Sequence, residues 1–324
     1  SSDGTIVSIG AIYNDGNTTN LNDNRGHVRV YKYDNNLNKW NQLGGDIDGE
    51  AASDLSGRNV LSSDGTTVAI GALDNDGNGN SSGHVRVYKY DNNNWTARET
   101  IRSWRSIASS SDGTKLAAVV YGGLIYTSTD SGVSWRSRAM AQNWFSIASS
   151  SDGTKLAAVV YGGLIYTSID SGVTWTQQTN PGTKNWRSIA SSSDGTKLAA
   201  VVANGLIYTS IDSGISWTAR AMAQNWNSIA SSSDGTKLAA VIANGQIYTS
   251  IDSGISWTAR AMAQNWFSIA SSSDGTKLAA VVYGGLIYTS IDSGVTWTQQ
   301  TNSGTKNWRS IASSSDGTKL AAVV

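Results

Sequence analysis

The chain has 324 residues with 24 basic and 24 acidic side chains, two histidines, no cysteine and one proline, and its formal net charge is zero. Charges scattered singly give no basic stripe for nucleic acid and no polybasic or amphipathic segment for a membrane, and no apolar run approaches the roughly 20 residues of a membrane span. Without cysteine there is neither a disulfide framework nor a thiolate site, so the redox compartment stays open.

In chain order, Ser2-Asp3-Gly4-Thr5 leads into an apolar stretch at 6–12, and Ser63-Asp64-Gly65-Thr66 leads into a similar stretch at 67–73. Each is followed by an Asn/Asp/Gly loop and then by the same Gly-His-Val-Arg-Val-Tyr-Lys-Tyr-Asp segment, at 26–34 and 83–91, with Trp40 and Trp95 shortly after. From Trp104 a second dialect takes over: Trp-x-Ser-Ile-Ala-Ser-Ser-Ser-Asp-Gly-Thr-Lys-Leu-Ala-Ala-Val, then Gly-x-Ile-Tyr-Thr-Ser-x-Asp-Ser-Gly-x-x-Trp. Its first Asp falls at Asp112, Asp152, Asp194, Asp234, Asp274 and Asp316, a period of 40 or 42 residues.

Each unit reads as four short strands. In the second, 145–149 and 155–160 form a hairpin whose Gly153 supplies the positive φ of the turn, Tyr161-Gly162-Gly163 turns into a strand at 164–168, and Asp170-Ser171-Gly172 turns into a strand at 174–177. One such unit cannot bury its apolar face alone, and four-stranded units of this period stack radially. The expected fold is all-β, a seven-bladed β-propeller built from two early units at 1–100 and five later ones at 101–302. The first unit lacks a first strand, and 309–313 supplies a spare one. The ring is therefore expected to close by 309–313 pairing beside 6–12, with 303–324 as closing strand plus partial repeat. The segment 319–324 duplicates a second strand the first unit already has, so either the tail is spare or the chain is cut from a longer array.

Ser128-x-Asp130-x-Gly132-x-x-Trp135 resembles the Asp-box, or bacterial neuraminidase repeat, and recurs at 168–175, 210–217, 250–257 and 290–297. The resemblance implies a structural role for Asp130, Asp170, Asp212, Asp252 and Asp292, whose carboxylates tie the turn's backbone while Trp packs between sheets, as Asx-type turns do. Val68-Ala69-Ile70-Gly71-Ala72 with the loop at 74–79 resembles FG-GAP-like propeller repeats. Asp-box propellers include sialidases, other glycoside hydrolases, sorting receptors, assembly factors and adhesive modules, so the resemblance bears on fold more than on activity.

A sialidase-like site needs an arginine cluster, a Tyr nucleophile with a Glu partner and an Asp acid on the propeller axis. This chain has two glutamates, Glu50 and Glu99, both between blades, and its aspartates recur in turns. Near-identical blades also fail to give the unlike environments an acid and a base require. The expectation is therefore a protein that is not an enzyme, with a sialidase-like glycan hydrolase as the alternative.

No cofactor is expected, with Ca2+ the one candidate at 74–80: Asp74, Asp76 and Asn78 alternate before Gly79 as in a calcium loop, but Val85 stands where the bidentate acid should be. A solvated Asn/Gly loop explains the same residues. His27 and His84 open the same strand in sister units and read as a paired structural feature, since no third His or Cys completes a zinc site. The thirteen tryptophans mostly recur at fixed unit positions, which reads as interblade core rather than sugar platforms. Asn17, Asn80 and Asn94 fit the glycosylation pattern, expected by chance in so Asn-, Ser- and Thr-rich a chain.

Variation collects on one face. The turn between the second and third strands carries Tyr121, Tyr161 and Tyr283 in three units and Ala203 and Ala243 in two, and the residue after the opening Trp is Arg105, Phe145, Arg187, Asn227, Phe267 or Arg309. Neutral drift at loop tips accounts for this as well as a ligand face does. The functional expectation places Tyr121, Tyr161, Tyr283, Arg105, Phe145, Arg187, Phe267 and Arg309 around a site for a protein or glycan, in a binding or structural module of an extracellular or particle-surface assembly.

Overall fold

The computed structural model describes residues 1–14, 24–49, 51–62, 64–72, 84–91, 94–97 and 104–323. Among these there is no α-helix, and no helix long and apolar enough to cross a membrane. Antiparallel sheets follow chain order. Lys184–Ser191, Leu198–Val202, Gly205–Ser210 and Thr218–Gln224 pair in sequence, as do Trp226–Ser231, Leu238–Ile242, Gly245–Ser250 and Thr258–Gln264. Ser56–Leu61, Thr67–Ala72, His84–Asp91 and Asn94–Ala97 form an early sheet of the same plan, and Ile6–Ala11, His27–Asp34 and Lys39–Gln42 another without a first strand.

Every residue of Leu198–Val202 is buried, because the second strand is covered on both faces. Its alternation divides the work: Leu156, Ala158 and Val160 pack with Trp144 and Ile147 of their own sheet, while Ala157 and Val159 pack against Trp186 and Ile189 of the next. The core is thus a series of intersheet clusters, and the small Ala residues let neighbouring sheets approach. The opening tryptophans Trp144, Trp186, Trp226 and Trp266 are fully buried and meet a Tyr edge-on, Trp226 to Tyr248 at 5.4 Å between ring centroids.

The Ser-Ser-Asp-Gly turns hold as expected. Gly153 has φ +67°, Ser150 Oγ donates to Asp152 Oδ1 at 2.6 Å, and the Thr154 and Lys155 amides donate to Asp152 Oδ1 and Ser150 Oγ, each at 3.0 Å. Chiefly the Ser hydroxyl, then the Thr amide and hydroxyl, hold Asp152, Asp194 and Asp234 down at about 2. Their folded values lie below the unfolded value of about 3.9, so their contribution to stability is complete above that pH and is lost as pH falls toward 2. The melting temperature followed by circular dichroism should accordingly hold level down to about pH 4 and then drop; a level value down to pH 2 would detach these turns from stability.

In the second type of turn, Ser168 Oγ accepts the Gly172 amide at 2.9 Å and donates to Asp170 Oδ1 at 2.8 Å, while Asp170 takes the Thr174 amide and hydroxyl on the solvent side. The buried half of this network belongs to Ser168. Ser168→Ala strands the Gly172 amide and should cost about 1–3 kcal/mol in urea unfolding, more than Asp170→Ala. Equal or reversed costs would contradict the assignment.

The expected closure is corrected. Ser310–Ser313 does not pair with Ile6–Ala11; it pairs with Leu320–Val323 in a two-stranded sheet of its own, and among the described residues Ile6–Ala11 pairs with His27–Asp34 alone. The Asp316 turn keeps its full hydrogen-bond set, so the local hairpin satisfies Ser310–Ser313 without a partner nearly 300 residues away. The chain ends still meet. Lys319 Nζ donates to Asp3 O at 3.0 Å just as Lys277 Nζ donates to Asp316 O at 2.8 Å, so the seam repeats the contact between neighbouring sheets.

Candidate functional site

Each first strand carries one residue too many. Trp144 faces Val160 and Ser146 faces Val159, which leaves Phe145 outside the ladder as a β-bulge, and the same register shift singles out Arg105, Arg187, Asn227 and Phe267. Arg309 follows its Trp in the same way, just ahead of Ser310–Ser313. A bulge frees a residue from pairing and re-aims its side chain. The varying position is therefore also the position that points away from the sheet.

Neighbouring sheets bring these residues together. Arg105 Cζ lies 4.0 Å from the Phe145 ring centroid, Arg187 Cζ lies 5.3 Å from Phe145 and 5.5 Å from Tyr161, and Phe145 and Tyr161 stack at 5.5 Å. A second cluster repeats the theme: Arg309 Cζ sits 5.2 Å from Phe267 and 4.5 Å from Tyr283, whose rings are 6.0 Å apart, and Arg309 Nη2 donates to Tyr13 Oη at 3.5 Å. Between them Asn227 Nδ2 donates to Trp266 O at 2.9 Å.

No carboxylate among the described residues pairs with Arg105, Arg187 or Arg309, and the Nε atoms of Arg187 and Arg309 are buried without a hydrogen-bond partner. Burial, with the neighbouring Arg187 charge second, pulls the Arg105 guanidinium below its ordinary pKa. It stays cationic at neutral pH, as arginine does in proteins. Two guanidiniums without a carboxylate partner are thus held around one aromatic ring.

Seven of the eight expected residues thus fall into two clusters. Tyr121 lies close enough to Arg105 to bear on its charge but makes no ring contact with the others: it is 46% exposed, and its segment runs on as Leu116–Ser128, pairing Tyr121 with Asn143 and Gly123 with Gln142. Tyr161 and Tyr283 pair likewise with Asn185 and Asn307, so the Tyr-Gly-Gly segments are intersheet ladder as well as surface.

The other end of the first strands is neutral. Ser111, Ser151, Ser193 and Ser233 each donate an amide to the serine carbonyl of the next unit at 2.7 Å, and a serine-lined cavity of about 260 Å³ sits inside this belt. It lies four residues from the bulges, about 13 Å along a strand.

No protein-family model and no curated protein matches the chain. Solved structures do. The C-terminal WD40 domain of Sif2 is similar over 99% of this chain and 90% of its own, with a TM-score of 0.71 and 13% identity. The fold is that of a β-propeller. The β-propeller domain of Cps50 (Swd1) from Myceliophteria thermophila follows over 82% and 91% of the two chains at TM-score 0.63 and 15% identity, and YCF48 from Cyanidioschyzon merolae over 79% and 89% at TM-score 0.59 and 16% identity. Identities this low carry the fold and nothing finer.

Asp74, Asp76 and Asn78 of the candidate calcium loop, and both glutamates, lie outside the described residues. Within the propeller a group absent from the sequence reading brings His27, Asp46 and Asp48 within reach of one another, their ligand atoms all within 4.8 Å. Both Asp46 oxygens already accept from Arg29, at 2.9 and 2.6 Å, which makes the group an ion-pair cluster before it is a metal site.

Proposed function

We propose that this propeller is a non-enzymatic binding module that takes a carboxylate-bearing segment of a protein partner at the mouth formed by Arg105, Phe145, Tyr161 and Arg187. The observation that carries the reading is the pair of guanidiniums around Phe145 without a carboxylate partner. Charge-assisted bonds from arginine are the strong, orienting kind, and a pair of forks can hold a carboxylate bidentately. A solved structure of YCF48 bound to a D1 peptide, 16% identical at TM-score 0.58, is consistent with a propeller of this type receiving a peptide.

A protein carboxylate is favoured over a sugar because guanidiniums already lie over the aromatic ring that a sugar would stack on. Hydrolysis is disfavoured because the mouth offers charges of one sign among the described residues, whereas a glycosidase needs a carboxyl pair. The later units are read as Asp-box blades and the first two as FG-GAP-like, in a chain that works outside the cell or on a particle surface. The test is capture of peptides from a random 12-residue library by the parent and by the Arg105→Ala/Arg187→Ala variant. The reading expects acidic peptides enriched by the parent alone; enrichment of the same peptides by both, or of no acidic peptide by the parent, would overturn it.

A further inference from the structure

Residues 144–201 recur at 266–323, identical at every position except that Pro181 is matched by Ser303. The unit between the two copies differs, with Asn227 at its bulge and Ala243 after its second strand. The duplication carries a side-chain arrangement with it. The Phe and Tyr of one unit stack, and the Arg of the following unit lies over both. In the first copy the rings of Phe145 and Tyr161 are 5.5 Å apart at 33°, with Arg187 Cζ at 5.3 and 5.5 Å; in the second those of Phe267 and Tyr283 are 6.0 Å apart at 35°, with Arg309 Cζ at 5.2 and 4.5 Å.

A guanidinium stacked on a ring spends its face on the ring and keeps its in-plane N–H donors for other groups. In both copies Nε is buried without a hydrogen-bond partner, and no carboxylate among the described residues pairs with either arginine. The copies differ in what precedes them. At the first, Arg105 brings a second guanidinium to 4.0 Å from Phe145; at the second, Asn227 holds that place and its Nδ2 is turned to Trp266 O at 2.9 Å. The second copy therefore has one cation where the first has two, with Tyr13 Oη beside it at 3.5 Å.

We infer that Phe267, Tyr283 and Arg309 form a second, weaker anchor for the same carboxylate chemistry, so that the partner is a segment carrying two acidic groups and held at both copies at once. The inference rests on the reading of the first mouth given above. An anchor with one cation binds feebly alone and adds to affinity when tethered, because its contact is then made at the effective concentration set by the linking chain. Each sheet from the first copy to the second shares a core cluster with the next. Packed sheets lie about 10 Å apart, so three steps amount to no more than about 30 Å, which roughly ten extended residues span.

The experiment compares a tetra-aspartate peptide with a tandem of two tetra-aspartates joined by about twelve glycine and serine residues. Both are titrated by calorimetry into the parent, into Arg309→Asn and into Arg105→Ala/Arg187→Ala. Arg309→Asn installs the residue that the chain itself holds at 227, which the fold accommodates. The tandem should bind the parent about tenfold or more tighter than the single peptide, and in Arg309→Asn that advantage should fall to about the twofold of simple statistics while single-peptide binding stays at the parent's value. Amide exchange should slow at 283–285 with the tandem only. A smaller advantage on the parent, or one that survives Arg309→Asn, would overturn the inference and leave the first mouth standing. Single-peptide binding that is absent, or unmoved by Arg105→Ala/Arg187→Ala, would overturn the reading beneath it and the inference with it.

Discussion

Replacing Trp226 by alanine should destabilise the protein by about 3–5 kcal/mol, the range for a large aromatic removed from a packed core. The indole is fully buried, its Nε1 donates to Gly205 O at 3.0 Å, and its ring meets Tyr248 at 5.4 Å and Trp257 at 6.5 Å. It shares a cluster with Ala199, Val201 and Ile207 of the preceding sheet and with Leu238, Ala240 and Ile242 of its own. The loss therefore falls on a contact between blades, and the neighbouring sheets are held apart by their own pairing and cannot collapse into the cavity. Denaturant unfolding measures it. A cost near that of a surface substitution would mean that the opening tryptophans are not the intersheet core, and would reopen their reading as a ligand platform.

The Arg105→Ala/Arg187→Ala variant should lose about tenfold or more in affinity for the acidic peptides that the parent selects, since a hydrogen bond to a charged group contributes about 1.5–3 kcal/mol. Stability should move the other way or not at all. Arg187 Nε is buried without a partner, and desolvation already weighs on Arg105, so truncation relieves a cost and removes no described ion pair. That opposition separates a binding role from a structural one. If the variant melts several degrees lower and binds as the parent does, the two arginines are props for Phe145.

The repeat period and the turn chemistry made the sheets legible in the sequence, down to Gly153 at φ +67° and the Asp152 and Asp170 turns. The bulge is legible too, in the spacing of the opening Trp and the following Ile. A strand opening Trp-x-Ser-Ile buries residues two apart if it is regular, yet Trp186 and Ile189, three apart, share one cluster, which requires an extra residue between them. That extra residue is Arg187. The grouping of the candidate residues into one four-membered and one three-membered cluster could not be read, because it depends on which blades are neighbours and how far each bulge swings its side chain. Tyr121 matches Tyr161 and Tyr283 in sequence, but its sheet carries Arg105 at the bulge in place of a Phe, so no ring stands where Phe145 meets Tyr161. The closure failed for a different reason. Counting strands treats every edge as equivalent, while a hairpin joined by six residues outcompetes one closed through the whole chain.

The central claim is that the propeller works at its arginine-lined mouth and not at its serine belt. Amide hydrogen exchange of the chain, free and saturated with an acidic peptide taken from the selection, tests it most directly. The account predicts slowed exchange at residues 104–107, 144–147, 161–163 and 186–189, with residues 109–111, 149–151 and 191–193 unchanged. Protection confined to the serine segments, with the mouth exchanging as it does in the free protein, would contradict it.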